Sequence, residues 1–145
     1  MERKEFIKGA CGICVALGSG FLMSAMLDSC KTPLNVIKTS AVNDVITIAL
    51  TEFAQGDFKL VRVRNYNYDL AIQKMPDGAF LILVLECTHA HHPLTKTGPN
   101  YYCTLHGSQF DHSGKVTKGP ADKNLKHLPS SVSGVNLVIQ LPNVG

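Results

Sequence analysis

Residues 87–111 read CTHAHHPLTKTGPNYYCTLHGSQFD, and this stretch constrains how the rest of the chain can be organised. It contains two short motifs, Cys-Thr-His at residues 87–89 and Cys-Thr-Leu-His at residues 103–106, separated by thirteen residues. Each motif places a soft thiolate close to a borderline imidazole, so each can hold one side of a metal site from a tight loop. The sequence therefore predicts a metal centre whose ligands are Cys87, His89, Cys103 and His106.

The residues around the second motif extend the pattern. His106 continues as Gly-Ser-Gln-Phe-Asp through residue 111, and Gly-Pro-Ala follows at residues 119–121. Together with the two motifs, this flank resembles the Rieske [2Fe–2S] family over residues 41–145. The resemblance implies an all-β fold, a Rieske-type antiparallel β-sandwich with a small cluster-binding subdomain, which binds a [2Fe–2S] cluster and transfers electrons. It also implies that Cys87 and Cys103 are the thiolate ligands of one iron, and that His89 and His106 are the imidazole ligands of the other.

Two alternative ligand schemes remain open on spacing alone. The same four side chains would fit a Cys2His2 zinc site, because ligand type does not separate zinc from iron. The His-Gly-Ser-x-Phe-Asp flank and the Gly119-Pro120 loop, which covers the cluster in the family, do not follow from zinc chemistry and favour the iron–sulfur cluster. His91 and His92 lie beside His89 and could act as ligands in a shifted register, but the Cys-x-His spacing favours His89.

The chain also departs from the family pattern near the expected cluster. High-potential members carry an extra cysteine in each loop, and these two cysteines form a disulfide; the matching positions here are His92 and Leu105. A glycine that is frequent in the first loop is replaced by His91. A tyrosine of the high-potential pattern is replaced by Phe110, whereas the serine is kept as Ser108. We therefore expect Ser108 to tune the cluster, and a potential between those of high-potential and ferredoxin-type members.

Composition limits the broad class of protein. The chain has 145 residues, which suffices for one domain with a hydrophobic core and an N-terminal extension. Its formal net charge of +3 is not gathered into a basic patch, which argues against a nucleic-acid partner. Three of the five cysteines lie in the first thirty residues and the other two are the expected ligands, so no pair remains for a structural disulfide.

Residues 1–30 are typical of a targeting segment. A basic start is followed by an uncharged apolar run over residues 9–27 and then by Leu27-Asp28-Ser29-Cys30. This arrangement resembles a bacterial lipoprotein signal and predicts lipidation at Cys30. The alternative is an uncleaved transmembrane helix over residues 9–27, although the run is at the short end of what a span requires. Either anchor places the protein at a membrane of the bacterial cell envelope, with the domain outside the cytoplasm.

The remaining sequence predicts strands and turns. Residues 31–42 are interpreted as a polar linker, and residues 43–145 as the Rieske [2Fe–2S] domain. Strands are predicted from β-branched or alternating segments at residues 45–48, 61–64, 68–73, 80–85 and 135–141, with turns at 76–78, 111–114 and 133–134. Residues 80–85 are apolar throughout, so this strand should be buried on both faces. Without helical periodicity, these short strands predict a β-sandwich or small barrel.

Together these features predict a membrane-tethered electron carrier, or a redox subunit of an oxidoreductase complex, that works with redox partner proteins. No nucleophile–base triad, phosphate-binding glycine loop or carboxylate pair is recognisable, so no catalytic residue is predicted and an enzyme acting alone is disfavoured. One alternative is the ferredoxin component of an oxygenase system, which residues 1–30 argue against. The other is a structural zinc-binding domain of the envelope.

Overall fold

The computed structural model describes residues 34–142, which form eleven strands in three sheets. The first sheet, in the order β1-β3-β4-β5, consists of β1 (Val36–Thr39), β3 (Phe58–Val63), β4 (Leu70–Lys74) and β5 (Phe80–Val84). The second sheet, in the order β10-β11-β2, consists of β2 (Val45–Ala49), β10 (Ser130–Ser133) and β11 (Asn136–Gln140). The third sheet, in the order β6-β7-β8-β9, consists of β6 (Thr95–Thr97), β7 (Asn100–Tyr102), β8 (Gln109–Phe110) and β9 (Val116–Lys118). A short 3-10 helix, Leu50–Phe53, follows β2.

The first two sheets share one hydrophobic core, which we call the base core. Strand alternation explains its composition: in β2, Ile46 and Ile48 are buried, whereas Thr47 and Ala49 are exposed. Burying one such aliphatic side chain fully contributes about 1.5–3 kcal/mol. The base core is formed by Ile46, Ile48, Phe53, Val61, Val63, Leu70, Ile72, Ile82, Val84, Leu128, Leu137, Ile139 and Leu141. The predicted all-β sandwich is therefore confirmed.

A second core, which we call the cluster-side core, lies on the other face of the first sheet. It is formed by Ala71, Leu83, Leu85, Cys87, Leu94, Tyr101, Cys103, Phe110, Ala121 and Leu125. β5 serves both cores, because Ile82 and Val84 belong to the base core and Leu83 belongs to the cluster-side core. The prediction of a strand buried on both faces is confirmed, and both expected thiolate ligands lie in the second core.

The prediction of a linker over residues 31–42 is wrong for residues 36–39, because these residues form β1. This strand pairs in parallel with β3, with Val36 opposite Leu60 and Thr39 opposite Val63. Ile37 packs against the base core, and this contact helps to hold the segment in place. The other strand pairs are antiparallel within residues 34–142, as the sequence predicted.

The predicted turns join the strands as expected. Residues 76–78 form the hairpin turn between β4 and β5, where Asp77 Oδ1 accepts the Ala79 N–H at 3.0 Å. Residues 134–135 form the turn between β10 and β11, one residue later than predicted. In the part of the chain that is described, no helix has both the length and the hydropathy of a membrane span. Residues 1–30, which the sequence predicts to be a targeting segment, lie outside the described residues together with Cys30.

Candidate metal centre

β5 carries the chain into the first ligand loop, residues 87–92. The N–H of Cys87 donates to the carbonyl oxygen of His92 at 2.8 Å, and the N–H of His91 donates to the carbonyl of Cys87 at 2.9 Å. These two bonds close the loop on itself and satisfy backbone groups that would otherwise be unpaired at a buried strand end. Cys87 and His89 are therefore presented from a loop with a defined backbone.

The second ligand loop, residues 103–108, is closed in the same way. The N–H of Cys103 donates to the Ser108 carbonyl at 2.9 Å, and the N–H of Gly107 donates to the Cys103 carbonyl at 3.0 Å. Gly107 has φ of +81° in this loop, and His91 takes the equivalent place in the first loop with φ of +51°. The two ligand loops thus have a common backbone hydrogen-bond pattern.

The four expected ligands are grouped by type. Cys87 and Cys103 are buried, with 1% and 0% of their surface exposed, and both are free thiols. His89 and His106 are exposed, and their ring centroids lie 5.3 Å apart in an edge-to-face arrangement. The structure therefore brings a thiol pair and an imidazole pair together from the two loops.

Hydrogen-bond donors converge on the sulfur of Cys87. Burial opposes ionisation of this thiol, but the N–H groups of His89 and Ala90 and the side chains of Cys103 and Ser108 favour the thiolate. Their combined effect lowers the pKa of Cys87 below its ordinary value. A thiol with a lowered pKa gives up its proton more readily, which suits a metal ligand because the thiolate is the ligating form.

The four expected ligands are arranged as two pairs of side chains rather than as four side chains around a single metal ion. Among residues 34–142, no three side chains of Cys, His, Asp or Glu are placed to hold a single metal ion. A thiol pair and an imidazole pair each offer two ligands, which is the division that a two-iron centre with mixed ligation requires. The chemistry of the four donors therefore fits a [2Fe–2S] cluster.

A third segment, residues 119–123, contacts both ligand loops. The N–H of Ala121 donates to the buried Ser108 Oγ at 3.0 Å. Thr88 Oγ1 donates to the carbonyl oxygen of Lys123 at 2.6 Å. The contact of Thr88 was not predicted, although Thr88 is part of the first motif, because its partner is distant in sequence.

The other histidines of the first loop are engaged elsewhere. His91 Nδ1 lies 2.5 Å from Glu86 Oε1, and His92 Nε2 lies 3.4 Å from Thr104 Oγ1. Glu86, which sequence reasoning left without a role, therefore contacts the ligand loop. His92 and Thr104 connect the two loops near the positions where high-potential members would carry their disulfide.

Comparison with known proteins matches residues 44–129 to the Rieske [2Fe-2S] domain. The chain is 37% identical over 84 residues to the mitochondrial Rieske subunit of the cytochrome b-c1 complex of Lagothrix lagotricha, covering 56% of this chain and 30% of that protein. The corresponding subunit of Gallus gallus is 35% identical over 88 residues, which covers 59% of this chain and 32% of that protein. The chain thus matches about a third of the length of these curated relatives.

Solved structures agree with this match at the level of the fold. The plasma membrane Rieske protein PetC3 from Synechocystis PCC 6803 superimposes with a TM-score of 0.52 at 20% identity, covering 66% of this chain and 98% of that chain. The quaternary ammonium Rieske monooxygenase CntA, in complex with L-carnitine, gives a TM-score of 0.52 at 15% identity and covers 70% of this chain and 33% of that one. Because the family match extends over more than half of the chain, the protein belongs to the Rieske [2Fe-2S] domain family and binds a [2Fe–2S] cluster.

Proposed function

We propose that the domain passes single electrons between redox partner proteins. Cys87 and Cys103 would hold one iron of the cluster, and His89 and His106 would hold the other. The observation that carries this proposal is the placement of a buried thiol pair and an exposed imidazole pair on two loops of matching shape. When bound, a [2Fe–2S] cluster supplies the redox chemistry.

The chain's own residues would support this exchange in two ways. The two thiols lie in the cluster-side core, whose apolar side chains keep water from the sulfur end of the site. His89 and His106 are exposed, so the imidazole end of the site lies at the surface, where a partner protein can approach. Donors directed at Cys87 Sγ stabilise negative charge on the sulfur and therefore favour the reduced state.

The ligand assignment can be tested with Cys103→Ser and His106→Ala. His112→Ala is the matched control, because His112 is an exposed histidine outside the two ligand loops. We expect both ligand variants to lose iron, acid-labile sulfide and the electron paramagnetic resonance signal of the reduced wild-type protein, while the control retains all three. Full retention of iron and sulfide in the two ligand variants would contradict the assignment.

We propose further that the domain is tethered at the bacterial cell envelope through an acylated Cys30. The support comes from the basic start, the apolar run over residues 9–27 and the cysteine that follows Ser29. Two acyl chains suffice for stable anchoring, whereas a single chain gives only reversible attachment. Such a tether would keep the cluster close to membrane-bound redox partners.

Mass spectrometry of the protein extracted from membranes tests the anchor. We expect a mature chain that begins at Cys30 and carries the mass of its acyl groups. Cys30→Ala is expected to leave the chain unacylated, and Cys14→Ala serves as a control in the same segment. A mature protein that still contains residues 9–27 would contradict lipidation and favour the helical anchor.

A further inference from the structure

The two ligand loops differ in the side chain at their left-handed residue. Both loops are closed by the same pair of backbone hydrogen bonds, and in both the fifth residue has positive φ. This residue is Gly107 in the second loop and His91 in the first. A side chain with a Cβ disfavours this backbone region, whereas glycine enters it freely. His91 therefore requires contacts that hold it in place.

Two hydrogen bonds hold His91 in addition to the bond from its own N–H to the Cys87 carbonyl. Its Nδ1 lies 2.5 Å from Glu86 Oε1, and since a carboxylate only accepts hydrogen bonds, Nδ1 carries the proton and donates it. The hydroxyl of Tyr68 donates to the carbonyl oxygen of His91 at 2.9 Å. The first bond fixes the His91 side chain and the second fixes its backbone carbonyl, so both parts of the residue are held in place.

Both partners of His91 are themselves positioned. Glu86 forms an isolated backbone bridge with Pro93, directly across the base of the loop, and only 25% of its side chain is exposed. The ring of Tyr68 packs edge-to-face against Tyr66, with 6.2 Å between centroids. Burial, followed by the nearby Glu86 carboxylate, raises the pKa of Tyr68, so its hydroxyl remains protonated and can donate.

We propose that Glu86, His91 and Tyr68 form a clamp that positions the first ligand loop and raises the reduction potential of the cluster. This inference rests on the ligand assignment proposed above. The loop directs the N–H groups of His89 and Ala90 at Cys87 Sγ. These donors favour the reduced state, so a loop released from the clamp loses part of that stabilisation and the potential falls.

Two variants test the clamp without changing the charge of Glu86. Tyr68→Phe removes the hydroxyl that holds the His91 carbonyl. His91→Gly removes the imidazole and with it the bond to Glu86, and because glycine adds no strain at positive φ, a shift in potential reports the lost bond rather than backbone strain. Tyr66→Phe is the matched control, because it changes the neighbouring phenol and leaves the bond between Tyr68 and His91 in place.

The readouts are iron content, potential by protein-film voltammetry and the electron paramagnetic resonance spectrum of the reduced protein. We expect Tyr68→Phe and His91→Gly to keep full iron, to shift the potential downward and to broaden the spectrum. Tyr66→Phe should retain the wild-type potential and spectrum. His91→Gly keeps the test available if Tyr68→Phe does not fold.

The inference is overturned if either clamp variant carries full iron and has the wild-type potential, even if its melting temperature falls. A shift of equal size in Tyr66→Phe overturns it as well, because the effect would then not depend on the bond to His91. Failure of the ligand assignment looks different: Cys103→Ser would then keep its iron and sulfide. The two proposals can therefore fail separately.

Discussion

The buried hydroxyl of Ser108, in the second ligand loop, contacts both Ala121 and the first ligand loop at Cys87. Ser108 is fully buried, and its Oγ accepts the N–H of Ala121 at 3.0 Å. The same hydroxyl is directed at Cys87, where it favours the thiolate. Of the two hydroxyl donors in the high-potential pattern, only the serine is present here, because Phe110 replaces the tyrosine and has no hydroxyl.

We predict that Ser108→Ala lowers the reduction potential while the cluster stays bound. A hydrogen bond to a charged acceptor contributes about 1.5–3 kcal/mol, but it exists in both redox states and only the difference counts. If that difference is about 1 kcal/mol, the potential falls by some tens of millivolts, since about 1.4 kcal/mol corresponds to about 59 mV for one electron. Protein-film voltammetry measures the shift.

Ser113→Ala controls for stability in that experiment. Ser113 Oγ donates to Asp111 Oδ1 at 2.6 Å in a nearby turn, so its removal should cost stability without changing the potential. Ser108→Ala should also lower the melting temperature, because the Ala121 N–H loses its acceptor. An unchanged potential together with a lower melting temperature would show that Ser108 only supports the loop.

Sequence reasoning at this scale identified residues by pattern and missed those that act through the folded loop. The four expected ligands and Ser108 lie in two recognisable motifs, and the structure places them together. Glu86 and Tyr68 carried no pattern, because their roles depend on how the first loop closes around His91. The contacts of Glu86 and Tyr68 with His91 depend on the folded backbone of the loop, and they cannot be predicted from the spacing of residues along the sequence.

The turn between β8 and β9 is packed tightly against β5. An added Cβ at Gly114 would lie 2.8 Å from Leu83 Cδ2 and 3.1 Å from Leu125 Cβ, and Gly114 has φ of +84°. The sequence predicted the turn at residues 111–114, but it gave no sign of this contact. Gly114 is therefore required both by the turn and by the cluster-side core.

We predict that Gly114→Ala destabilises the protein more than Gly78→Ala does. Gly78 has φ of +85° and open space around the added Cβ, so it reports the backbone strain alone. That strain is about 1–2 kcal/mol, and overpacking of the core adds about 1–3 kcal/mol at Gly114. Urea unfolding of both variants measures the difference; equal free energies of unfolding would contradict the packing argument.

The carboxylate of Asp111 in the same turn should make the stability of the fold decrease at acidic pH. Asp111 Oδ1 accepts hydrogen bonds from the Ser113 hydroxyl, the Ser113 N–H and the Lys115 N–H at 2.6, 2.8 and 3.0 Å. The Ser113 side chain has the largest effect in lowering the pKa of Asp111. A carboxylate whose pKa is lower in the folded state stabilises the fold above its unfolded pKa of about 3.9 and loses this contribution as pH falls.

We predict that Asp111→Asn weakens the loss of stability in acid while largely preserving the turn, because the amide oxygen can still accept. Asp111→Ala should weaken the acid dependence and also lower stability at neutral pH, by about 1 kcal/mol. Melting temperatures of the two variants and the wild type, measured from pH 7 to pH 3, separate the effects. Parallel curves for the wild type and Asp111→Asn would contradict the role of this carboxylate.

Elements with an apolar face were predictable from sequence, and elements without one were not. The segment at residues 45–48 is β-branched throughout and was predicted as a strand, which the structure extends by one residue as β2. β10 reads Ser-Ser-Val-Ser and is exposed throughout, so it has no hydrophobic pattern; it is held by pairing with β11. Backbone pairing between distant segments also accounts for β1, which was mistaken for a linker.

We expect the two hydrophobic cores to depend differently on the cluster. The base core joins the first and second sheets and contains neither cysteine. The cluster-side core contains both Cys87 and Cys103, which belong to two different loops. A bound metal centre cross-links such loops, and its binding free energy becomes folding free energy only for the part of the structure that it joins.

We predict that removing the cluster loosens the cluster-side core and leaves the base core folded. In the apo protein, amide hydrogen exchange should accelerate over both ligand loops and over residues 119–123, which contact them. Amides of β2, β3 and β11 should keep their protection, because the base core still buries its aliphatic side chains without help from either cysteine. The iron-loaded protein under the same conditions is the control.

Simultaneous loss of protection in both cores would contradict this division, because the cluster would then be required for folding of the whole domain. Unchanged exchange in the ligand loops would also contradict it, because the loops would then be rigid without the cluster.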